Sequence, residues 1–178
     1  MRAHFTSSPA FVGALSLVFL APLPLLAQAA APKAPPAKAA AAAGSVLAPG
    51  SAAGTLTVAG KSVSLTHAIA FNAGAHTYLL ITDKVLPPAE VKSEFQLGVY
   101  QFTNKISGLE LTLDPAHKVT EVAYRWELTK KPCPGCFDVT VSGGPNGPLT
   151  GSIKTTAKGE ASEKMKADVT FSAPFAKP

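Results

Sequence analysis

Apolar and polar residues alternate from Gly54 onward, and this period of two constrains the fold more than any other feature of the chain. Residues two apart on a strand point to the same face of a sheet, so the alternation is typical of strands with one buried face. A turn at Gly60-Lys61 predicts that Val58 pairs with Val63 on the next strand. The apolar phase continues along that strand through Leu65, His67, Ile69 and Phe71.

A second turn, at 72–75, repeats the pattern. It places Phe71 opposite His76, and it places Ile69 opposite Tyr78. Because two independent turns give one shared apolar face, the sequence predicts an antiparallel meander in this region.

The rest of the chain consists of short apolar runs separated by turn residues. A short helix entered through proline is predicted near 87–95, followed by a short strand at 99–102. The last hairpin joins 149–156 to 165–171 through a three-residue loop, which places Ile153 opposite Met165. About eight short strands at this spacing predict an all-β, mainly antiparallel fold, either a single β-sandwich or a small barrel.

The N-terminus has the features of a secretory signal. Arg2 and His4 precede an apolar run at 11–26, which prolines interrupt and which ends at the small-x-small pattern Ala27-Gln28-Ala29. The unbroken apolar part is shorter than the roughly 20 residues that cross a bilayer as a helix. We therefore predict a signal peptide at 1–29, cleaved after Ala29, and a periplasmic or extracellular protein without a membrane span.

Residues 30–50 are rich in Ala and Pro and contain no aromatic residue, which predicts a disordered Ala/Pro/Lys linker. The folded domain is then 51–178, long enough for one hydrophobic core. The formal charge of the whole chain is +5, but Arg2, Lys33 and Lys38 precede the domain. The small surplus of positive charge that is left in the domain does not form a nucleic-acid-binding surface, so nucleic acid is not an expected partner.

Cys133-Pro134-Gly135-Cys136 is the sharpest local motif. Pro followed by Gly at the centre is typical of a type II turn, which brings its end residues within about 7 Å of each other. That distance allows a disulfide, which an oxidising compartment favours. We expect the bond to close the tip of a hairpin between the strands of Trp126 and Val139. A redox-active pair and half of a zinc site are the alternatives. Both are disfavoured, because a strand follows Cys136 and the chain has no second cysteine pair.

Three side chains are candidate ligand-binding residues: His67, Tyr78 and Trp126. His67 occupies one of the alternate strand positions that face the core. An imidazole there is either a hydrogen-bonded core residue or part of a cavity. Tyr78 and Trp126 would line the wall of that cavity. His67 and His76 are expected to lie roughly 13 Å apart at strand rise, too far to share an ion, so we expect no metal site. We expect no cofactor either.

Two stretches, 54–71 and 80–87, contain a Gly-Lys hairpin, a Thr-His-Ala segment and a Thr-Asp-Lys turn. They resemble exported β-rich bacterial proteins of unassigned function. The resemblance implies an exported, β-rich protein, and it implies neither an activity nor site residues.

The chain contains no Gly-x-Ser-x-Gly, His-Glu-x-x-His or P-loop signature. We therefore expect a secreted or periplasmic β-domain that binds rather than catalyses, with an unknown protein or small molecule of the cell envelope as its ligand. An exported enzyme, either a hydrolase or a thiol–disulfide oxidoreductase, is one alternative. A structural protein of the envelope is the other.

Overall fold

The computed structural model describes residues 47–90, 93–144 and 146–176. The predicted signal peptide at 1–29 and the predicted linker up to residue 46 lie outside these residues. Within them, all neighbouring strands of the sheet pair antiparallel, which confirms the predicted mainly antiparallel β fold.

Nine strands and two α-helices make up the described part of the chain. The strands are β1 (Ser51–Val58), β2 (Lys61–Ala73), β3 (His76–Thr82), β4 (Gly108–Leu113), β5 (Val119–Trp126), β6 (Thr129–Pro132), β7 (Phe137–Ser142), β8 (Leu149–Thr155) and β9 (Met165–Ala173). The helices are α1 (Glu94–Asn104) and α2 (Ala157–Glu163), and a 3₁₀ turn at Pro88–Glu90 precedes α1. None of the helices in the described ranges has the length and apolar character needed to span a bilayer.

The nine strands form one curled, half-barrel sheet in the order β6-β5-β4-β3-β2-β1-β9-β8-β7. Strands that follow each other in the chain are neighbours everywhere except between β6 and β7, and β9 returns to pair with β1. β6 and β7 are therefore the two edges of the sheet, although only residues 133–136 separate them in the chain.

The first hairpin exists as predicted, but its predicted register is wrong by two residues. Val58 pairs with Lys61 rather than with Val63, so the turn residues are Ala59 and Gly60. Both have positive φ angles, 49° and 82°, as a type I′ turn requires, and this turn matches the twist of the strands it joins. A shift of two residues leaves every side chain on its predicted face.

The second hairpin is displaced in the same way. Phe71 pairs with Tyr78 rather than with His76, and Ala73 pairs with His76, so the turn is at 74–75. Gly74 adopts a φ of 61° there, which a glycine reaches without steric cost.

β2 supplies apolar residues to both faces of the sheet, so the predicted single apolar face is wrong in this strand. Leu65 and Ala70 pack in the principal core, whereas Ile69 and Phe71 pack in a second cluster together with α1. The pairing of β1 with β2 shifts within 51–54, and such an irregularity changes which side chains share a face.

α1 covers this second cluster, and its position corrects two predictions. The helix predicted near 87–95 begins only at Glu94, and the strand predicted at 99–102 lies inside it. Leu97 and Gln101, four residues apart, are buried against the sheet, so the segment follows a helical period rather than a strand period.

The ends of α1 have the contacts expected at helix termini. The Ser93 hydroxyl accepts a hydrogen bond from the Gln96 N–H at 3.2 Å, which satisfies one of the free donors of the first turn. Lys105 ends the helix in the left-handed conformation, with a φ of 49°.

α2 replaces the three-residue loop that was predicted in the last hairpin. Ile153 consequently pairs with Val169 rather than with Met165. Alternate residues of β9 fill the principal core, as a period of two requires: Met165, Ala167, Val169, Phe171 and Ala173.

Candidate functional site

The gap between the two edges of the sheet, which we call the seam, is the candidate site. Among the described strands, β6 pairs with the second half of β5 alone, Ala123–Trp126. In the described chain, the first half of β5, at 119–122, has a strand partner on one side only, and so has β7. Cα atoms of β5 and β7 approach within 8 Å of each other, so two incompletely paired strands meet at the seam.

A cleft of about 430 Å³ lies in the seam. Its lining is Val119, Thr120, Glu121, Val122, Pro132, Cys133, Pro134, Gly135 and Phe137. The walls are mainly apolar, while Thr120, Glu121 and the edge backbone offer hydrogen-bonding groups. A mainly apolar cleft with a few polar groups is typical of ligand-binding sites. Among the described residues that line the cleft, Glu121 is the single carboxylate, so they do not assemble the two-carboxylate arrangement of glycosidases.

The turn from Cys133 to Cys136 forms one wall of the cleft, and its predicted type II conformation is confirmed. Gly135 has a φ of 76°, and the Cys136 N–H donates to the Cys133 carbonyl at 3.2 Å. The sulfur atoms lie at bonding distance, and the Cα atoms are 5.5 Å apart, within the ordinary range for a disulfide.

The predicted position of this turn, at the tip of a hairpin, is wrong. β6 pairs with β5 and β7 pairs with β8, so the strands on either side of the turn do not pair with each other. The turn instead crosses from one edge of the sheet to the other.

Hydrogen bonds connect this turn to both sides of the seam. The Cys133 N–H donates to the Val122 carbonyl of β5 at 3.0 Å. On the other side, Thr156 follows β8 and donates from its N–H to the Cys136 carbonyl at 2.9 Å. The Thr156 hydroxyl also donates to the Gly135 carbonyl at 2.8 Å. The turn therefore fixes the separation of the two edges at one end of the cleft.

α2 packs against the same turn. The Lys158 ammonium donates to the Pro134 carbonyl at 2.8 Å. Gly159 lies so close that a Cβ atom there would stand 2.6 Å from the Cys136 carbonyl oxygen and 2.7 Å from the Thr155 methyl carbon. Glycine is thus required at this position for α2 to approach the turn.

The three residues predicted to bind a ligand do not lie together. Trp126 packs against the principal core, whereas Tyr78 belongs to the second cluster and stacks on Phe71 with ring centroids 5.2 Å apart. Burial raises the pKa of Tyr78, and the nearby Glu94 carboxylate raises it further. His67 is half-buried in β2, and none of the three lines the cleft. In the described ranges, no three His, Cys, Asp or Glu side chains are grouped so that they could hold a metal ion.

A buried ionic cluster holds the β5–β6 side of the seam, and the sequence pattern did not predict it. Glu110 of β4 accepts hydrogen bonds through Oε1 from Arg125 Nε at 2.7 Å and from Gln101 Nε2 at 3.1 Å. Its Oε2 lies 2.9 Å from Lys130 Nζ. One carboxylate therefore connects α1, β4, β5 and β6. Glu110 alternates with leucines, which is the pattern of a solvent-facing residue, but the cover provided by α1 leaves it only 8% exposed.

The cluster keeps Glu110 charged. Burial alone would raise the pKa of this carboxyl, but the Lys130 ammonium and the Arg125 guanidinium together hold the pKa below its ordinary value. The favourable contacts thus outweigh desolvation, and the carboxylate remains an acceptor for all three neighbours.

A second polar contact crosses the seam and connects β5 with α2. The Tyr124 hydroxyl donates to Glu163 Oε2 at 2.8 Å. Burial and this carboxylate raise the pKa of Tyr124 to about 12, so the phenol stays protonated and keeps donating.

Comparison with protein-family models finds no match, and searches of curated proteins and of solved structures find none either.

Proposed function

We propose that this chain is an exported, non-catalytic binding domain and that the seam cleft receives its ligand. The observation that carries the proposal is the place of the cleft: its apolar walls lie between residues 119–122 of β5 and strand β7, and within the described ranges each of these segments has a strand partner on one side only. A ligand in that position can use both the apolar walls and the free backbone groups of the edges. Neither use requires a reactive side chain.

The ligand class that fits is an extended peptide segment that adds to the edge of β7. Edge addition supplies main-chain hydrogen bonds for affinity, and alternate side chains enter pockets for specificity. Phe137 borders the cleft, and β7 presents a full six-residue edge without Lys or Pro. β6 is shorter and contains Lys130, Lys131 and Pro132, which are residues that discourage pairing at an edge. The two edges therefore differ in the way expected if only β7 accepts a strand.

In this proposal the domain is a small, incompletely closed barrel, with the seam as its opening. A ligand strand at the seam would extend the sheet toward closure. The disulfide turn spans one end of the opening and would limit how far a ligand slides along it.

The proposed site of action is the periplasm or the cell exterior. The secretory pattern that ends at Ala29 and the linker at 30–50 would deliver the domain there and separate it from an attachment point. The Cys133–Cys136 bond is consistent with an oxidising compartment.

An array of synthetic octapeptides in which apolar and polar residues alternate tests the proposal. We expect a subset to bind the purified protein, and we expect matched peptides with a central proline to bind at least about tenfold more weakly, since proline cannot donate to a strand edge. Thr120→Arg places a long side chain in the cleft from β5 and should reduce binding by a similar factor. Thr66→Arg, at an exposed β2 position outside the cleft, is the matched control and should leave binding unchanged.

The same array can contradict the proposal. If no peptide binds, or if Thr120→Arg binds as the wild type does, the seam is not the peptide site. Equal binding of the proline-containing peptides would show that the cleft recognises apolar surface without strand addition.

A further inference from the structure

α1 carries an apolar stripe on the side away from the sheet. Phe95, Val99 and Phe102 have the spacing i, i+4, i+7, which places them along one side of the helix. Their exposed fractions are 80%, 52% and 58%. A surface helix normally carries polar residues on this side, so the stripe indicates an interaction surface.

The same helix offers recesses beside the stripe. A groove of about 250 Å³ is lined by Phe95, Gln96, Val99, Tyr100, Thr103 and Asn104. Gly98 lies on the other side of the stripe, and a Cβ atom placed there would meet nothing within 4 Å. One surface thus has both projecting aromatic rings and space to receive such rings.

The two ends of α1 carry opposite charges. Glu94 is the first residue of the helix, and Lys105 follows the last one; both are exposed. Lys84 adds positive charge at the same end, where its ammonium donates to the Asn104 carbonyl at 2.7 Å.

We propose that this stripe docks a second copy of the chain, with the two α1 helices antiparallel about a two-fold axis near Val99. Phe95 then lies beside Phe102 of the second copy, and Glu94 lies beside Lys105 of the second copy at both ends of the pair. The helix is about 16 Å long, so both charge contacts form only when the stripes overlap fully. A parallel pair would instead bring equal charges together. The inference does not depend on the seam cleft.

The area available makes this a weak association. Two helices of 11 residues cover less than the surface of a standard stable interface, so the dimer is expected to depend on concentration.

Sedimentation equilibrium of the purified protein from micromolar to millimolar concentration tests the proposal. The sedimenting mass of the wild type should rise toward twice the monomer mass. Val99→Asp puts two carboxylates at the axis and should weaken association at least about tenfold. Leu128→Asp changes another exposed apolar residue, in the β5–β6 turn, and should have no effect.

Charge exchange tests the antiparallel arrangement. Glu94→Lys and Lys105→Glu, taken separately, should each weaken self-association roughly tenfold, because each places like charges together. An equimolar mixture of the two variants should associate again, since each variant then meets the opposite charge at both ends. Circular dichroism and thermal melting establish that each variant is folded.

Three results would overturn the proposal. The first is a wild type that stays monomeric throughout the concentration range. The second is an equal effect of Val99→Asp and Leu128→Asp, or no recovery in the mixture. The third is a monomer that binds anionic phosphatidylglycerol vesicles and loses this binding in Val99→Asp, which would assign the stripe to a lipid surface.

Discussion

Glu110→Gln removes the negative charge of the buried cluster while it keeps the size of the side chain. The Arg125 side chain is 11% exposed, so its guanidinium would lose its carboxylate partner where water cannot replace it. Removing one partner of a buried ion pair typically costs about 3–5 kcal/mol. Lys130 is about one-third exposed, so water screens its share of the interaction. We therefore expect the free energy of unfolding to fall by about 3 kcal/mol, the lower end of that range.

Urea denaturation followed by the fluorescence of Trp126 measures this loss. With an m-value of about 1–3 kcal/mol per molar urea, the unfolding midpoint should fall by about 1–3 M. Glu127→Gln is the matched control, because the Glu127 carboxylate lies 3.8 Å from the Lys61 ammonium in an exposed pair. That control should leave the midpoint unchanged.

The difference between wild type and Glu110→Gln should depend on pH with a definite sign. The pKa of Glu110 is lower in the folded protein than the ordinary value of about 4.3 in an unfolded chain. The carboxylate therefore contributes its full stability above about pH 4.3 and loses it as the pH falls through the folded-state pKa. A difference that stayed constant from neutral pH to about pH 3, or a midpoint shift no larger than that of the control, would refute the reasoning.

Five further predictions concern the disulfide turn, the interior phenol of Tyr124 and the two helices. Cys133→Ser should lower the free energy of unfolding by about 2 kcal/mol or less in urea denaturation, since the loop is short; a larger loss would contradict the entropic account. In an ultraviolet absorbance titration, Tyr124 should ionise only near pH 12, so its contribution to stability is complete below about pH 10 and disappears as the pH rises toward 12. Glu163→Gln should lower the pKa of Tyr124 without restoring the ordinary value, because burial is the larger cause; no change would exclude the hydrogen bond. Gly98→Ala should raise Tm through a helix-propensity gain of about 0.5–1 kcal/mol. Gly159→Ala should lower Tm, because its Cβ atom would collide with the carbonyl of the disulfide turn; equal effects of the two substitutions would contradict the packing described for α2.

The alternation of residues predicted where strands occur, but it did not predict which faces are covered. Ile69 and Leu65 have the same phase along β2, yet they pack in different clusters. Glu110 has the phase of a solvent-facing residue, yet α1 covers it. The covering helix follows β3 in the chain and packs back on the outside of the sheet, so no pattern within one strand contains this information.

The register of the β1–β2 hairpin depends on the backbone conformation of one turn residue, Ala59, which its residue type did not indicate. The glycine at position 60 suggested a turn that begins with Gly, whereas the chain places Ala59 first, with a φ of 49°. Alanine pays a steric cost in that region, so the choice must be decided by the pairing of the strands that follow rather than by the turn alone. The faces of the hairpin were still predicted correctly near this turn, because the error was an even number of residues.

The conformation of the Cys133–Cys136 turn was predictable because Pro and Gly fix it locally. Its place in the sheet depends instead on β9 pairing with β1 in the interior of the strand order, away from both edges. That long-range pairing makes β6 and β7 the two edges and creates the seam. Reactive side chains do not mark this site, since its main feature is edge backbone that has no strand partner within the described part of the chain. The signal that could have found it is the contrast between Lys130-Lys131-Pro132, a composition suited to a protected edge, and Phe137–Ser142, an apolar–polar alternation that has one charged residue, Asp138, and neither Lys nor Pro. Two strands of one hairpin pair with each other, so they are not expected to differ in residues that discourage pairing. Such a difference is expected of two separate sheet edges, of which only one accepts a further strand.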